Sequence, residues 1–446
     1  MSHILRKVMK NIIAKIIFIL SDILMIILSL YLAFILRGSF SSLEMHTIPF
    51  EIYLTFYPLY IILISLFAYE GIYTYRYDFW HESRLVLKTI IFSATLVFAY
   101  LAMTKSIEEY SRLVIGFSFI FMGLLIPLSK NILKKMLYRL RLWQKKASIY
   151  GEDPFLTDEI YGNPYLGYIK PKKGEEPSTI FINSKGSDAE ALKRVLSTQI
   201  KKKHEVIFIP LMADYDLTQS HIYELSNTRT NLIVYKNRLK SWYRRVIQCA
   251  FNYLLAIILL PILLPVIGIF AILIKKESKG PVFFAHDRIG QEGKVIPTLK
   301  FRSMYSDAKE RLDKLLAEDP QIAKEWERNF KLKDDPRVTK IGNFLRKTSL
   351  DELPQIFNVL KGEMYFVGPR PVIQEEIDQY YKENAEYYFM VKPGITGLWQ
   401  VSGRSDTDYV FRIETDKWYV LNWSLWLDIV ILVKTIKVVL KKEGAY

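Results

Sequence analysis

The sequence predicts a membrane α-helical N-terminal bundle, a Rossmann-like α/β domain after it, and a mainly α C-terminal domain with a re-entrant membrane helix. Three observations predict this architecture. Apolar runs of membrane length crowd the N-terminal third, short strand-like and helical segments alternate after them, and one long, proline-containing apolar stretch has cations at both ends.

At 446 residues the chain exceeds one ordinary domain, and its length suggests two to three units. Half of the residues are apolar, yet the formal net charge is +15. The basic residues cluster beside the apolar runs, which marks a lipid bilayer as the partner and not a nucleic acid. The single cysteine, Cys249, excludes an internal disulfide and a multi-thiolate zinc site. The six histidines lack metal-ligand spacing, so no histidine-based metal centre is expected.

In the first domain, 1–145, apolar stretches at about 11–36, 50–69, 89–104 and 113–128 meet or approach the roughly 20 residues that cross a bilayer as a helix. The first is too long for a signal-peptide core and no small-residue cleavage site follows it, so the N-terminus is expected to anchor. Four crossings return the chain to its starting side. Arg6, Lys7 and Lys10 precede the first, and Lys130, Lys134, Lys135, Arg139 and Arg141 follow the fourth, so both ends are expected in the cytoplasm. Lys15 and Asp22 are the main candidates for buried charge, which is too little for a transporter.

In the second domain, 146–236, the segments ASIYG, STIFINS, EVIFIP and NLIVYKN are strand-like, with SDAEALKRVLSTQI as a helix between them. A dinucleotide site needs a glycine-rich turn after the first strand. Here the turn reads IYGEDPF, no GxG occurs anywhere in the chain, and Glu152 and Asp153 would repel phosphate. The domain is expected to serve packing or the contact of a homodimer.

The third domain, 237–446, opens with VIQCAFNYLLAIILLPILLPVIGIFAILI, 246–274. Pro261 and Pro265 near its middle each remove a helix hydrogen bond, so a break is expected there. Lys236, Arg238, Lys240, Arg244 and Arg245 flank one end, and Lys275, Lys276 and Lys279 the other. The positive-inside rule then places both ends in the cytoplasm, which a helix that dips into one leaflet and returns satisfies and a fifth span does not. Towards the C-terminus, Trp418, Trp423 and Trp426 lead into an apolar, lysine-rich helix that reads as an interfacial or a core element.

The chemistry centres on the adjacent carboxylates Asp351 and Glu352 in RKTSLDELPQIFNVLKGEMYFVGPRP, 346–371. Pro354 fits the first turn of a helix, so a helix should begin at or just before Asp351 and stop near Gly362. Ser349-x-x-Glu352 has the spacing of a capping box, and on local grounds capping alone accounts for the pair. The surroundings suggest more. A helix N-terminus keeps a carboxylate ionised, and Lys300, Arg302, Arg346 and Arg370 are cations suited to phosphate. A carboxylate attacks phosphorus only if repulsion is neutralised, which calls for Mg2+ between carboxylate and phosphate, with Asp351 as a metal ligand.

The segments GPVFFAHDRIGQEGKVIPTLKFRSM (280–304), DPRVTKIGNFLRKTSLDELPQIFNVLKGEM (335–364), VGPRP (367–371) and KPGITGLWQVSGR (392–404) resemble, in order, the bacterial sugar transferases, also called monotopic phosphoglycosyl transferases. The N-terminal regions resemble those of the large members, and GIYTYRYDFWHE (71–82) resembles the galactose-phosphate branch. The resemblance implies transfer of a hexose 1-phosphate from a UDP-sugar to undecaprenyl phosphate with release of UMP, opening an O-antigen or capsule repeat unit at the bacterial inner membrane. It implies galactose as the sugar, with glucose as the alternative. It further implies Asp351 as the nucleophile of a covalent phosphosugar intermediate, Glu352 as its partner, Lys300, Arg302, Arg346 and Arg370 around the phosphates, and a re-entrant helix broken at Pro261. The chain departs from the family pattern at Gln248, Asn252, His286 and Tyr365-Phe366.

Two other readings compete. A membrane NAD-dependent sugar-nucleotide dehydratase also joins four helices to a Rossmann domain, but its glycines are absent and its Tyr-x-x-x-Lys pairs, at Tyr168, Tyr305 and Tyr388, are no more than a Tyr- and Lys-rich chain produces by chance. A non-catalytic scaffold would use the Asp-Glu pair only as a cap, and would tolerate Asp351→Asn.

Overall fold

The computed structural model describes residues 2–39, 48–105, 109–151, 153–172, 174–184, 188, 192, 194–196, 198–199, 205–209, 221–225, 230–234, 239, 241–318, 335–402 and 409–441. Most of the expected helix 187–200 lies outside these residues, as do Lys236, Arg238, Lys240 and Arg404. The chain divides into two compact units, Met1–Met212 and Ala213–Tyr446.

The first unit opens with helices α1 (Ser2–Gly38), α2 (Phe50–Leu54), α3 (Tyr57–Tyr69), α4 (Phe79–Met103) and α5 (Arg112–Arg139). Four stretches are long and apolar enough to cross a membrane, at Met9–Gly38, Phe50–Tyr69, Phe79–Met103 and Arg112–Arg139. Their inward faces, with Phe18, Ile26, Leu63, Val97 and Ile126, form one core, while Leu24, Ile61, Ile91 and Ile132 face outward, as expected of helices solvated by lipid. The helix through the third run begins at Phe79, ten residues before its apolar stretch, because Asp78 caps it by accepting from Trp80 N.

The charge buried in the bundle differs from expectation. Lys15 is exposed. Instead Lys130 Nζ lies 2.8 Å from Asp22 Oδ2, and Lys134 pairs with Glu82, with all four groups buried. Tyr73 OH donates to Asp22 at 2.7 Å and Tyr165 OH to Glu82 at 2.9 Å. Lys130 and Lys134, one helical turn apart, therefore anchor α5 inside the bundle rather than flanking it.

Strands β1 (Lys145–Tyr150), β2 (Tyr168–Ile169), β3 (Thr179–Asn183) and β4 (Glu205–Ile209) form a parallel sheet in the order β2-β1-β3-β4. Helix α6 (Pro154–Gly162) follows β1, and its N-terminus is closed by Asp153, which accepts from Leu156 N at 3.1 Å. The fourth expected strand does not join this sheet. It forms β6 (Thr230–Val234), in the second unit, paired antiparallel with β5 (His221–Leu225). Four positions separate the two in sequence, too few for a parallel pairing, which needs a crossover of a dozen residues or more.

The second unit continues with α7 (Trp242–Glu277), the hairpin β7 (Phe283–Ile289) and β8 (Val295–Phe301), α8 (Ala308–Glu318), α9 (Lys340–Thr348), a 3-10 helix (Leu350–Gln355), α10 (Ile356–Leu360) and the short parallel pair β9 (Tyr365–Val367) and β10 (Gly394–Thr396). Helices α11 (Tyr409–Leu421) and α12 (Leu425–Lys441) close it, with three-residue to five-residue helical turns between the elements. Trp423 and Ile431 belong to the core, whereas Val433 and Ile436 are exposed, so the last helix has one core face and one apolar outer face.

The interruption expected at Pro261 and Pro265 is absent. Helix α7 runs as 36 residues through both prolines. Each proline costs one hydrogen bond, but the i→i−4 bonds on either side persist in an apolar run with no water to compete for them. Both halves of α7 pack on the same core, Ala256 on one side of the prolines and Ile267 and Ile274 on the other. Near its start, Asn252 Oδ1 accepts from Phe366 N at 2.7 Å. At its end, Glu277 accepts from Lys340 N and Ile341 N at 2.7 and 3.0 Å, capping α9.

Candidate active site

The 3-10 helix that carries Asp351 and Glu352 is aimed by the elements at its two ends. Helix α9 starts at Thr339, whose hydroxyl accepts from Gly342 N at 2.9 Å, and packs so closely on the chain after β8 that a Cβ on Gly342 would lie 2.0 Å from Ser303 O. It ends at Ser349, which sits in the left-handed region at φ 57° and turns the chain into the 3-10 segment. Ser349 makes no side-chain cap bond there, so the capping box allowed by the spacing is not formed. After Pro354, α10 is pinned to the hairpin by the buried Asn358, which accepts from Leu299 N at 3.0 Å and donates to Pro297 O and Glu363.

This pinning sets β8 beside the carboxylates. Lys300 Nζ lies 2.6 Å from Glu352 Oε1 and 3.9 Å from Asp351 Oδ2. Arg346, in the last turn of α9, donates from Nε to Ser303 Oγ at 2.8 Å. Burial pushes the Asp351 carboxyl above its ordinary range, helped by Glu352 and opposed by Lys300 and Arg346. Burial acts the same way on Glu352, but Lys300, Arg370 and Arg288 outweigh it and hold that carboxyl below its ordinary range. Two adjacent carboxylates are thus driven apart in proton affinity, a pattern typical of acid, base and nucleophile assignments.

The structure brings together Asp351, Glu352, Lys300, Arg346 and Arg370, but not Arg302. The Arg302 guanidinium donates to Ser278 O, Ser278 Oγ and Lys279 O, each at 2.8 Å. It fastens the end of α7 to β8 and is buried, its terminal nitrogens taken by those contacts. Sequence reasoning missed Arg288. In the β7–β8 register Phe284 faces Lys300, His286 faces Thr298 and Arg288 faces Ile296, so alternation puts Arg288 and His286 on the face of Lys300. Arg288 Nη2 lies 3.1 Å from His286 Nδ1, and Arg288 and Arg412 approach Glu376 at 3.7 and 3.6 Å. Burial, together with Arg288 and Lys300, lowers the His286 pKa.

Among the described residues no group of three or more His, Cys, Asp or Glu side chains could hold a metal. The site therefore offers two carboxylates, Lys300, and an arc of arginines facing them. Such a set suits an anionic group better than a resident cation.

The Bacterial sugar transferase family model matches residues 243–442. The chain is 36% identical to the undecaprenyl-phosphate galactose phosphotransferase of Salmonella typhimurium over 84% of each chain. It is 33% identical to the UDP-galactose-lipid carrier transferase of Erwinia amylovora over 98% of each. To the UDP-glucose:undecaprenyl-phosphate glucose-1-phosphate transferase of Escherichia coli it is 34% identical, over 62% of this chain and 58% of that one. With this similarity running the length of the chain, the protein belongs to the bacterial sugar transferase family.

Proposed function

We propose that this transferase moves a hexose 1-phosphate, with galactose as the sugar, from a UDP-sugar to undecaprenyl phosphate, releasing UMP. This is the first membrane step of a surface polysaccharide. The observation that carries the reading is the carboxylate pair held at the edge of a cationic arc, with Lys300 bridging both acids. Galactose is favoured because the relatives named for it align over most or all of both chains, whereas the named glucose transferase aligns over little more than half of its own.

A carboxylate oxygen of Asp351 attacks the sugar-bearing phosphorus, and the bond from that phosphorus to the bridging oxygen breaks, leaving with UMP. An oxygen of undecaprenyl phosphate then attacks the same phosphorus, the aspartyl bond breaks, and the carboxylate returns. Lys300 and Arg346 favour the ionised form of Asp351 against its burial, and Arg346, Arg370 and Arg288 face the phosphate charge. Glu352, held ionised, locks Lys300 in place. The pair also fits a Mg2+ that arrives on the diphosphate, since such ions take one or two carboxylates plus substrate oxygens. When bound, Mg2+ would neutralise phosphate charge there.

Helix α7 is proposed to be re-entrant. A re-entrant course needs α7 to bend, and Pro261 and Pro265, each lacking one helix hydrogen bond, mark where a bend that keeps the helix continuous would fall. Residues of both halves hold the same unit, through Asn252 and Glu277. The catalytic unit then stays on one face, the cytoplasmic face of the inner membrane by the charge distribution. The four-stranded parallel sheet has the 2-1-3-4 order of a flavodoxin-like doubly wound sheet, and it is proposed to be a degenerate Rossmann-like domain that serves a homodimer rather than a dinucleotide.

The test is UMP release from UDP-galactose and UDP-glucose by membrane-embedded protein with undecaprenyl phosphate and Mg2+. Release that needs all components, is faster with UDP-galactose, and is lost in Asp351→Asn is expected. Undiminished release by Asp351→Asn would overturn the nucleophile assignment.

A further inference from the structure

A cavity of about 400 Å3 lies at the start of α7, lined by residues that the proposed reaction does not use. Two cations, Arg245 and Lys392, border it, and Trp242, Val246 and Val391 give it an apolar wall. Its one acidic neighbour, Glu292, is already paired with Lys294 at 2.7 Å. The amide of Gln248, only 3% exposed, also lines it, beside the buried Tyr419 hydroxyl to which it donates. At about 30 Å3 per water, the space exceeds what a few ordered waters fill.

Its place in the fold points to the ligand. Trp242 and Val246 of its lining are exposed, as are their chain neighbours Tyr243 and Ile247, and all four lead into the apolar length of α7. Exposed Trp and Tyr beside an apolar helix mark headgroup depth. The cavity is also out of reach of the carboxylates. Tyr365 and Lys392 sit beyond the far end of the helical stretch that begins near Asp351, since a Cβ on Gly362 would lie 3.6 Å from Lys392 Nζ. Glu292 lies at the turn of the hairpin whose β8 carries Lys300 towards its other end. Both rulers put the cavity on the order of 15 Å from the pair.

We propose that this cavity is a second site, for the phosphate of a membrane lipid. Arg245, Lys392 and the Gln248 amide take the phosphate oxygens, and Trp242, Val246 and Val391 take the first methylenes. A phosphate held there is not in line with Asp351, so the site holds a lipid at rest and not the reacting phosphate.

The test is binding of dihexanoyl-phosphatidylglycerol, against dihexanoyl-phosphatidylcholine, to the purified full-length protein, read by native mass spectrometry. It needs no turnover, so it stands or falls separately from the transferase reading. One saturable, phosphatidylglycerol-selective site is expected. At about a fivefold effect per cation, Arg245→Gln/Lys392→Gln weakens binding roughly thirtyfold, while Lys275→Gln/Lys276→Gln, which removes two exposed charges at the other end of α7, leaves it unchanged. Arg245→Lys/Lys392→Arg retains binding and so controls for folding. Displacement by undecaprenyl phosphate supports the site with the acceptor lipid as its source, and failure to displace supports it with bulk anionic phospholipid. Equal binding by the Gln double variant and wild type, or no preference for phosphatidylglycerol, overturns the proposal.

Discussion

Replacing Lys300 by Met removes the cation nearest both acids while leaving an unbranched chain in its place. At 3.9 Å from Asp351, a unit charge contributes about 4 kcal/mol at an effective dielectric of about 20. The Lys300 side chain is 27% exposed, and water screens the interaction to about 1 kcal/mol. The Asp351 carboxyl is already raised by burial, so losing Lys300 raises it further and moves the acid limb of activity upward. The assay is the initial rate of UMP release from pH 5 to 9 with protein in nanodiscs, alongside Lys300→Arg, which should restore most of the limb. A uniform fall in kcat/KM with the acid limb unmoved would refute the reasoning and confine Lys300 to binding phosphate.

Other substitutions test the frame around the site. Asn358→Ala leaves Leu299 N buried without its acceptor, and should destabilise the protein by about 1–3 kcal/mol and lower kcat as Lys300 drifts, measured by thermal unfolding with activity. Asp416, buried beside the Tyr381 hydroxyl at 2.7 Å, has its pKa pushed up to about 7 by burial. Its folded pKa exceeds the unfolded one, so its contribution is complete below about pH 4 and is lost as pH rises to about 7, at up to about 1.4 kcal/mol per unit. Asp416→Asn should therefore gain stability relative to wild type across that window, read from unfolding midpoints against pH. In the bundle, Lys130→Met leaves the Asp22 carboxylate buried without its cation and should cost about 3–5 kcal/mol, whereas Asp22→Asn/Lys130→Met should recover most of that in an unfolding titration from detergent.

Much of this architecture is legible in the sequence because it rests on short-range signals. The apolar runs announce the helices, and the motif order around Asp351 announces the family. What escapes is set by partners distant in sequence. Lys130 and Lys134 read as a cytoplasmic flank until Asp22 and Glu82, on other helices, turn them inward. Arg302 reads as a phosphate ligand because nothing local shows that Ser278 and Lys279 take its donors. The prolines of α7 read as a break because the surrounding apolar run, which favours continued helical bonding, carries no local signal of its own. Arg288 was recoverable, since strand alternation alone places it with Lys300 once the hairpin is drawn.

The central claim is that Asp351 becomes covalently bonded to the phosphosugar. The most direct measurement is the intact mass of the full-length protein after incubation with UDP-galactose and Mg2+ without undecaprenyl phosphate, followed by peptide mapping. The account predicts a mass increase of one hexose phosphate in wild type, located on the peptide bearing Asp351, absent from Asp351→Asn, and discharged on adding undecaprenyl phosphate. An adduct on another residue, or UMP formed only with acceptor present and no adduct at any time, would contradict it.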